Sequence, residues 1–107
     1  MSQKDEKIKE IIRELAAEFF SRESNRKSMI TVTAVELFSK GGRATILMTV
    51  LPETAEEAAL DFAHRQLSEF KKFVQDRSRL ARIPFFEVAI DRGEKNRQRL
   101  DEIAKKL

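Results

Sequence analysis

Three arginines, Arg77, Arg79 and Arg82, fall within six residues of one another in RSRLARIPFFEV, the stretch from Arg77 to Val88. Arg65, Lys71 and Lys72 extend the basic run upstream. From Arg65 to Arg82 six cations face two anions, Glu69 and Asp76, a local charge of +4. The whole chain carries +3, so the remainder is close to neutral. Cations gathered on one element of a small fold are the footprint of a phosphate-rich partner. The same charges also suit a solvated helix face. The stretch joins the basic end of a helix to a proline and the start of an apolar, buried strand.

Other chemistry is poorly provided for. Nucleophilic catalysis wants a Ser or Cys beside a base. The chain has no cysteine, and its one histidine, His64, lies within an amphipathic pattern. No residue is assigned a catalytic role, and an enzyme is not expected. Glu56-Glu57 and Asp101-Glu102 fall at a helix start and on a charged face, where capping and solvation account for them. Asp91, Glu94 and Asp101 lack calcium-loop spacing. Thiolate metal sites are excluded, and no metal or other cofactor is expected. Gly41-Gly42 lacks the Lys-Ser/Thr and helix of a phosphate-binding loop, and no GxxG clamp occurs. Phe19, Phe62, Phe70 and Phe73 recur at core spacing, which makes them packing residues rather than base-stacking ones.

The elements that must position the basic run follow from periodicity. At 107 residues, 41% of them apolar, the chain suits one domain, residues 1–107. Lys4 to Arg22 reads as an amphipathic helix through Ile8, Ile11, Ile12, Leu15, Ala16 and Phe19, with Ser2 and Asp5 as a capping pair. Ser24 to Ser28 is a polar loop. Ile30–Phe38 and Ala44–Leu51 form a hairpin around Ser39–Arg43, with Gly41 and Gly42 supplying positive φ. Strict alternation puts Ile30, Val32, Ala34 and Glu36 on one face of the first strand. Thr31, Thr33, Val35 and Leu37 take the other.

Pro52 opens a helix with an acidic first turn and a stripe of Ala55, Ala58, Ala59, Phe62, Ala63 and Leu67. Ser68 is a poor helix former and a good N-cap, so a kink falls near Gln66 to Glu69. Phe70, Phe73, Val74 and Leu80 continue the pattern until Pro84 ends it. Phe85–Ile90 is a third strand, and Glu94 to Leu107 a short final helix with Leu100, Ile103, Ala104 and Leu107 on one side. The expected architecture is α+β, a three-stranded sheet covered by helices on one face. The longest apolar runs are far short of a membrane span, and MSQKDEKIKE lacks the apolar centre of a signal peptide. The composition suits a reducing cytoplasm.

Four segments, in this order, resemble the ribosome-binding factor A family of bacterial small-subunit assembly factors. They are KIKEIIREL near the N-terminus, the hairpin ITVTAVELFSKGGRATILMTVL, RLARIPFFEV, and DRGEKNRQRLDEI near the end. The hairpin is similar to the family's VTVT-x-VEVS … A-x-V-x-VSVL pattern, and RLARIPFFEV to its RLRxxPxLxF. Gln66-Leu67-Ser68 stand where the family has its Ala-x-Gly helix kink. Gln75 replaces a glycine before the basic run, and Lys40-Gly41 replaces Asp-Leu in the hairpin loop.

The resemblance implies a KH-like type II domain, in the order α-β-β-α-α-β plus a C-terminal helix. It further implies a non-enzymatic factor that binds the free small ribosomal subunit and its 16S rRNA late in maturation, with a link to growth in the cold. On that reading Lys71, Lys72, Arg77, Arg79 and Arg82 neutralise phosphates. Arg65 lies at the margin, and Lys40 and Arg43 form a second patch. Such contacts position the protein without reading sequence. The chain would act as a cytoplasmic monomer, with no membrane and no small-molecule substrate. Two other readings stay open: a stand-alone KH-like module for single-stranded RNA, and a protein–protein adaptor whose basic helix meets an acidic partner.

Overall fold

The computed structural model describes residues 3–23 and 28–106. Ser2 of the expected N-terminal cap, residues 24–27 of the expected polar loop, and Leu107 of the final apolar stripe lie outside the described residues. Four helices and three strands follow in order: α1 (Gln3–Glu23), β1 (Met29–Phe38), β2 (Arg43–Leu51), α2 (Glu56–Arg65), α3 (Leu67–Arg77), β3 (Phe85–Ile90) and α4 (Arg92–Lys106). A single 3₁₀ turn, Glu53–Ala55, leads from Pro52 into α2. The sheet order is β1-β2-β3, with β1 antiparallel and β3 parallel to β2. The sheet is therefore mixed, and β3 returns alongside β2 by way of the two central helices. The order α-β-β-α-α-β with a trailing helix matches the expected α+β architecture.

Helices α1, α2 and α3 cover one sheet face. That face is formed by Ile30, Val32, Val35 and Leu37 of β1, Ala44, Ile46, Met48 and Val50 of β2, and Phe86, Val88 and Ile90 of β3. The set corrects strict alternation in β1. The register shifts between Val32 and Ala34. Thr33 is the extra residue of a β-bulge, and one added residue exchanges the faces of everything after it. Val35 and Leu37 thereby join Ile30 and Val32, while Ala34 and Glu36 turn outward.

The α1 stripe is also rotated from its expected position. Ile12, Ala16, Phe19 and Phe20 are buried, whereas Ile11 is 38% exposed. Phe20 completes the i, i+4 row from Ile8 through Ile12 and Ala16. It meets Phe19 edge-on at 5.1 Å, and both rings meet Phe70 at 5.4 Å. Phe70 then meets Phe86 of β3 at 4.8 Å. Rings at these spacings add about 0.5–1.5 kcal/mol per pair beyond their area burial. The cluster ties α1 to α3 and to the sheet. In α2, Ala59 and Ala63 are buried, while Ala58 is exposed.

The central helices part at Gln66, whose φ of −88° and ψ of 0° lie at the edge of the right-handed helical region. Its N–H donates to Phe62 and Ala63, and its carbonyl accepts from the N–H of Phe70 at 2.9 Å. No side chain caps α3, so the expected capping by Ser68 is corrected: Ser68 lies inside the first turn and is exposed. Helix α3 also ends earlier than Pro84. Ser78 is extended, and both its N–H and its hydroxyl donate to the Val74 carbonyl, at 2.9 and 2.8 Å. Residues 78–84 are therefore a loop, and Leu80 packs on the core from that loop.

Helix α4 begins two residues earlier than expected, and among the described residues its side-chain bonds to the rest of the fold lie near its start. Asp91 caps it, accepting from the N–H of Glu94 at 3.0 Å. Lys95, largely buried, reaches Glu56 at 2.9 Å. Leu100 and Ile103 further along are exposed rather than part of the core.

Asp91 also accepts from the Thr33 hydroxyl at 2.6 Å, so the bulge and the helix cap share one carboxylate. The Thr33 hydroxyl first, then the N–H groups of Glu94 and Gly93, hold its carboxyl below the usual aspartate value. A depressed folded pKa gives stability that is full above the unfolded value, about 3.9, and is lost as pH falls through the folded value. Thr33→Val should cost about 1 kcal/mol at neutral pH. That difference should shrink as melts are taken below about pH 4, and a difference constant with pH would show that the bond to Asp91 is not its source.

Candidate nucleic-acid interface

The early end of α3 decides where the arginines go. Arg79 and Arg82 leave the helix and lie on the extended loop that runs back toward the β1–β2 hairpin. There the Phe85 N–H donates to the Gly42 carbonyl at 2.9 Å, fastening the entry of β3 to the hairpin. A Cβ on Gly42 would meet the Arg82 guanidinium at 2.8 Å, so the lack of a side chain lets that group lie against the turn.

The turn itself corrects the expected glycine roles. Gly41 has φ of 84°, but Gly42 is at −80°, and Ser39 and Lys40 take positive φ at 54° and 55°. Left-handed backbone costs an ordinary residue about 1–2 kcal/mol. The turn accepts that strain at the residue that presents a cation, Lys40.

Two grooves meet at Arg82. One, of about 570 Å³, runs between the α2–α3 break and the start of β3, lined by His64, Ser68, Lys71, Arg82 and Phe85 among others. The other, of about 450 Å³, lies between the start of α1, the hairpin turn and the loop, and includes Lys4, Asp5, Lys40, Arg79 and Arg82. Lys40, Lys71, Arg79 and Arg82 are thus brought onto one continuous basic path. Among the described residues no carboxylate pairs with any of the four. Asp5 is the one acid among them bordering either groove.

The other expected contacts lie elsewhere. Arg77 reaches Glu18 of α1 at 3.1 Å and sits 4.5 Å from the centre of the Phe73 ring, so it fastens α3 to α1. Arg43 points to the uncovered sheet face and pairs with Glu87 at 2.5 Å. Lys72 lies 3.5 Å from Glu69 on α3, and Arg65 is exposed in the last turn of α2; neither borders the grooves. Conversely, Lys4, His64 and Phe85 border them, although sequence reasoning gives none of the three a binding role. Nothing local in the sequence brings the start of α1 to the hairpin; only the packed fold does.

Among the described residues no cluster of His, Cys, Asp or Glu could hold a metal, and no helix is long and apolar enough to cross a membrane. The site is a shallow cationic path across the break between two helices, on a three-stranded α+β fold of order α-β-β-α-α-β with a trailing helix. That fold is shared with ribosome-binding factor A. The crystal structure of the factor from Thermus thermophilus superposes with a TM-score of 0.69 at 23% identity, covering 78% of this chain and 90% of that one. The solution structure of a Thermotoga maritima protein, proposed to be a ribosome-binding factor A, gives 0.58 at 21% identity, covering 82% and 83%. No protein-family model matches the sequence, and no curated protein matches it either.

Two arginines separate structure from binding. Arg77→Ala should lower stability by about 1 kcal/mol, through removal of the ion pair and the ring interaction, while sparing phosphate binding. Arg82→Ala should do the reverse. Gly42→Ala should displace the Arg82 side chain without removing its charge, weakening binding while thermal stability moves by less than about 1 kcal/mol. Melting curves and RNA-binding isotherms on the three variants give the answer; equal binding losses for Arg77 and Arg82 would refute the division of roles.

Proposed function

We propose that this protein is a ribosome assembly factor of the ribosome-binding factor A kind. It binds the free small ribosomal subunit and its 16S rRNA during late maturation, in the bacterial cytoplasm, as a monomer of one domain. It carries out no catalysis; its work is to occupy and shape rRNA, in a step that matters most in the cold. The fold shared with ribosome-binding factor A supports this reading, together with the four sequence segments. The observation that carries it is the convergence of Lys40, Lys71, Arg79 and Arg82 on one path with no carboxylate paired to them among the described residues.

Several cations elsewhere are paired within the fold: Arg13 with Glu10, Arg43 with Glu87, Lys95 with Glu56, and Arg97 with Glu94. Four like charges on one shallow surface repel one another unless an anion joins them. A folded rRNA supplies a line of phosphates, which such a surface can neutralise without reading base sequence. Recognition then rests on the shape of the RNA.

In a sucrose gradient of lysate the protein should travel with free small subunits and be scarce on translating ribosomes. Remaining at the top of the gradient at low salt would refute the assignment. Replacing Lys40, Lys71, Arg79 and Arg82 by Ala should lower the slope of log affinity against log salt by about 0.7–0.9 for each phosphate no longer neutralised. An unchanged slope would show that these cations are only solvated.

A further inference from the structure

The uncovered face of the sheet carries a feature that phosphate binding does not use. Phe38 pairs with Arg43, and Arg43 with Phe85, so the three residues form one row across all three strands. Phe85 is 67% exposed and Phe38 46% exposed. The other six of the eight phenylalanines are buried or half-buried. Arg43 is exposed between the two, its guanidinium held by Glu87 of the next row at 2.5 Å.

Phe85 has a second connection. It borders the groove of Lys71 and Arg82 as well as heading this row. The cationic path and the aromatic row therefore meet at one residue. A ribose–phosphate chain lying along Lys71 and Arg82 passes the edge of the uncovered face, where its bases would otherwise be left in water. Aromatic rings beside a basic groove are how proteins hold unpaired bases, since every base has a face to stack. Two exposed rings at the end of edge strands are otherwise a liability for a folded protein. Charge complementarity favours a nucleic acid over an apolar partner here, because Arg43 lies between the rings and Lys71 and Arg82 line the groove that Phe85 borders.

We propose that Phe85, with Phe38 and Arg43 in the same row, is a stacking platform for an unpaired RNA base whose backbone lies along the Arg82 groove. This rests on the RNA-binding reading above and adds to it a single-stranded element of the rRNA as the thing held. Phenylalanine offers no hydrogen bond, so the platform takes any base. Arg43 stays fixed to Glu87 and adds a cation at the margin of the stack.

The test uses the full chain, a labelled mixed-sequence RNA of about eight nucleotides, and the same backbone with abasic positions. Phe85→Ala should weaken binding to the intact RNA about tenfold, with the salt slope unchanged. The abasic backbone should weaken wild-type binding by a similar factor, and should bind Phe85→Ala no more weakly than the intact RNA does. Phe85→Tyr, which keeps the ring, should bind like wild type. Arg82→Ala, in contrast, should lower the salt slope on both RNAs.

Phe85→Ala binding like wild type would overturn the platform, as would equal sensitivity of both proteins to abasic positions. A wild type that joins small subunits in the gradient but ignores the short RNA would overturn it too, leaving the assembly-factor reading intact. A wild type that binds neither would sink both. If sedimentation shows a dimer that Phe85→Ala dissolves, with RNA affinity unchanged, the row is a contact between copies of this chain instead.

Discussion

One extra residue in β1 sets the faces of the sheet. With Thr33 inserted as a bulge, both halves of the strand turn their apolar side chains toward the helices: Ile30 and Val32 before it, Val35 and Leu37 after it. Without the bulge, Glu36 would enter the core and Val35 would leave it, a double penalty of an unpaired buried charge and an apolar side chain returned to water. The bulge leaves a hydroxyl for Asp91 to accept, and Asp91 in turn caps α4. The register of the first hairpin is thereby joined to the direction of the last helix through one carboxylate. Which β1 side chains face the helices and where α4 leaves the sheet both follow from that arrangement.

At the opposite end of the sheet the hairpin turn has a comparable role for the interface. The Gly42 carbonyl holds the entry of β3, and its missing side chain admits Arg82. The loop from Ser78 to Pro84 must therefore bring its arginines to the turn rather than continue along α3. Rigid elements fix both ends of this loop, the Ser78 cap on one side and the Phe85 N–H on the other. A short tethered loop between a helix and a strand gives up little further freedom when a ligand binds, so less affinity is lost to ordering. The positive φ of Ser39 and Lys40 belongs to the same region, where local strain is retained because hairpin pairing on either side determines the turn.

Much of the fold was legible because local signals agreed with the global pattern. The β-branched runs, the Gly41-Gly42 turn, the acidic start of α2 and Pro84 before β3 each point to the elements found. The bulge was hidden because Thr33 and Ala34 are small enough to sit on either face. The one clue was Glu36, which strict alternation would have turned toward the core. The end of α3 was hidden for a different reason. Arg79, Leu80, Ala81 and Arg82 are all good helix formers, so propensity masked a stop made by the Ser78 side chain and by the tertiary pull of the hairpin. For the candidate site, charge density marked a segment but could not say which cations converge. Arg77 and Arg79 are two residues apart, yet one braces α1 and the other faces the groove, because the helix ends between them.

That division follows from how charge is distributed in a small fold. A cation near a carboxylate of a packed neighbour, such as Arg77 beside Glu18, has its charge partnered within the fold, although the ion pair by itself adds little stability on an exposed surface. A cation without such a neighbour is held only by its backbone, and its field extends into solvent over about a Debye length, roughly 8 Å at physiological salt. Lys40, Lys71, Arg79 and Arg82 come from three separate stretches of chain, and their fields overlap only because the aromatic cluster and the hairpin bring α3, the loop and the turn together. The convergence of these cations is therefore a property of the folded core rather than of any basic motif. Packing between Phe70 and Phe86 sets how α3 stands against β3, and with it where Lys71 lies relative to Arg82 and the turn.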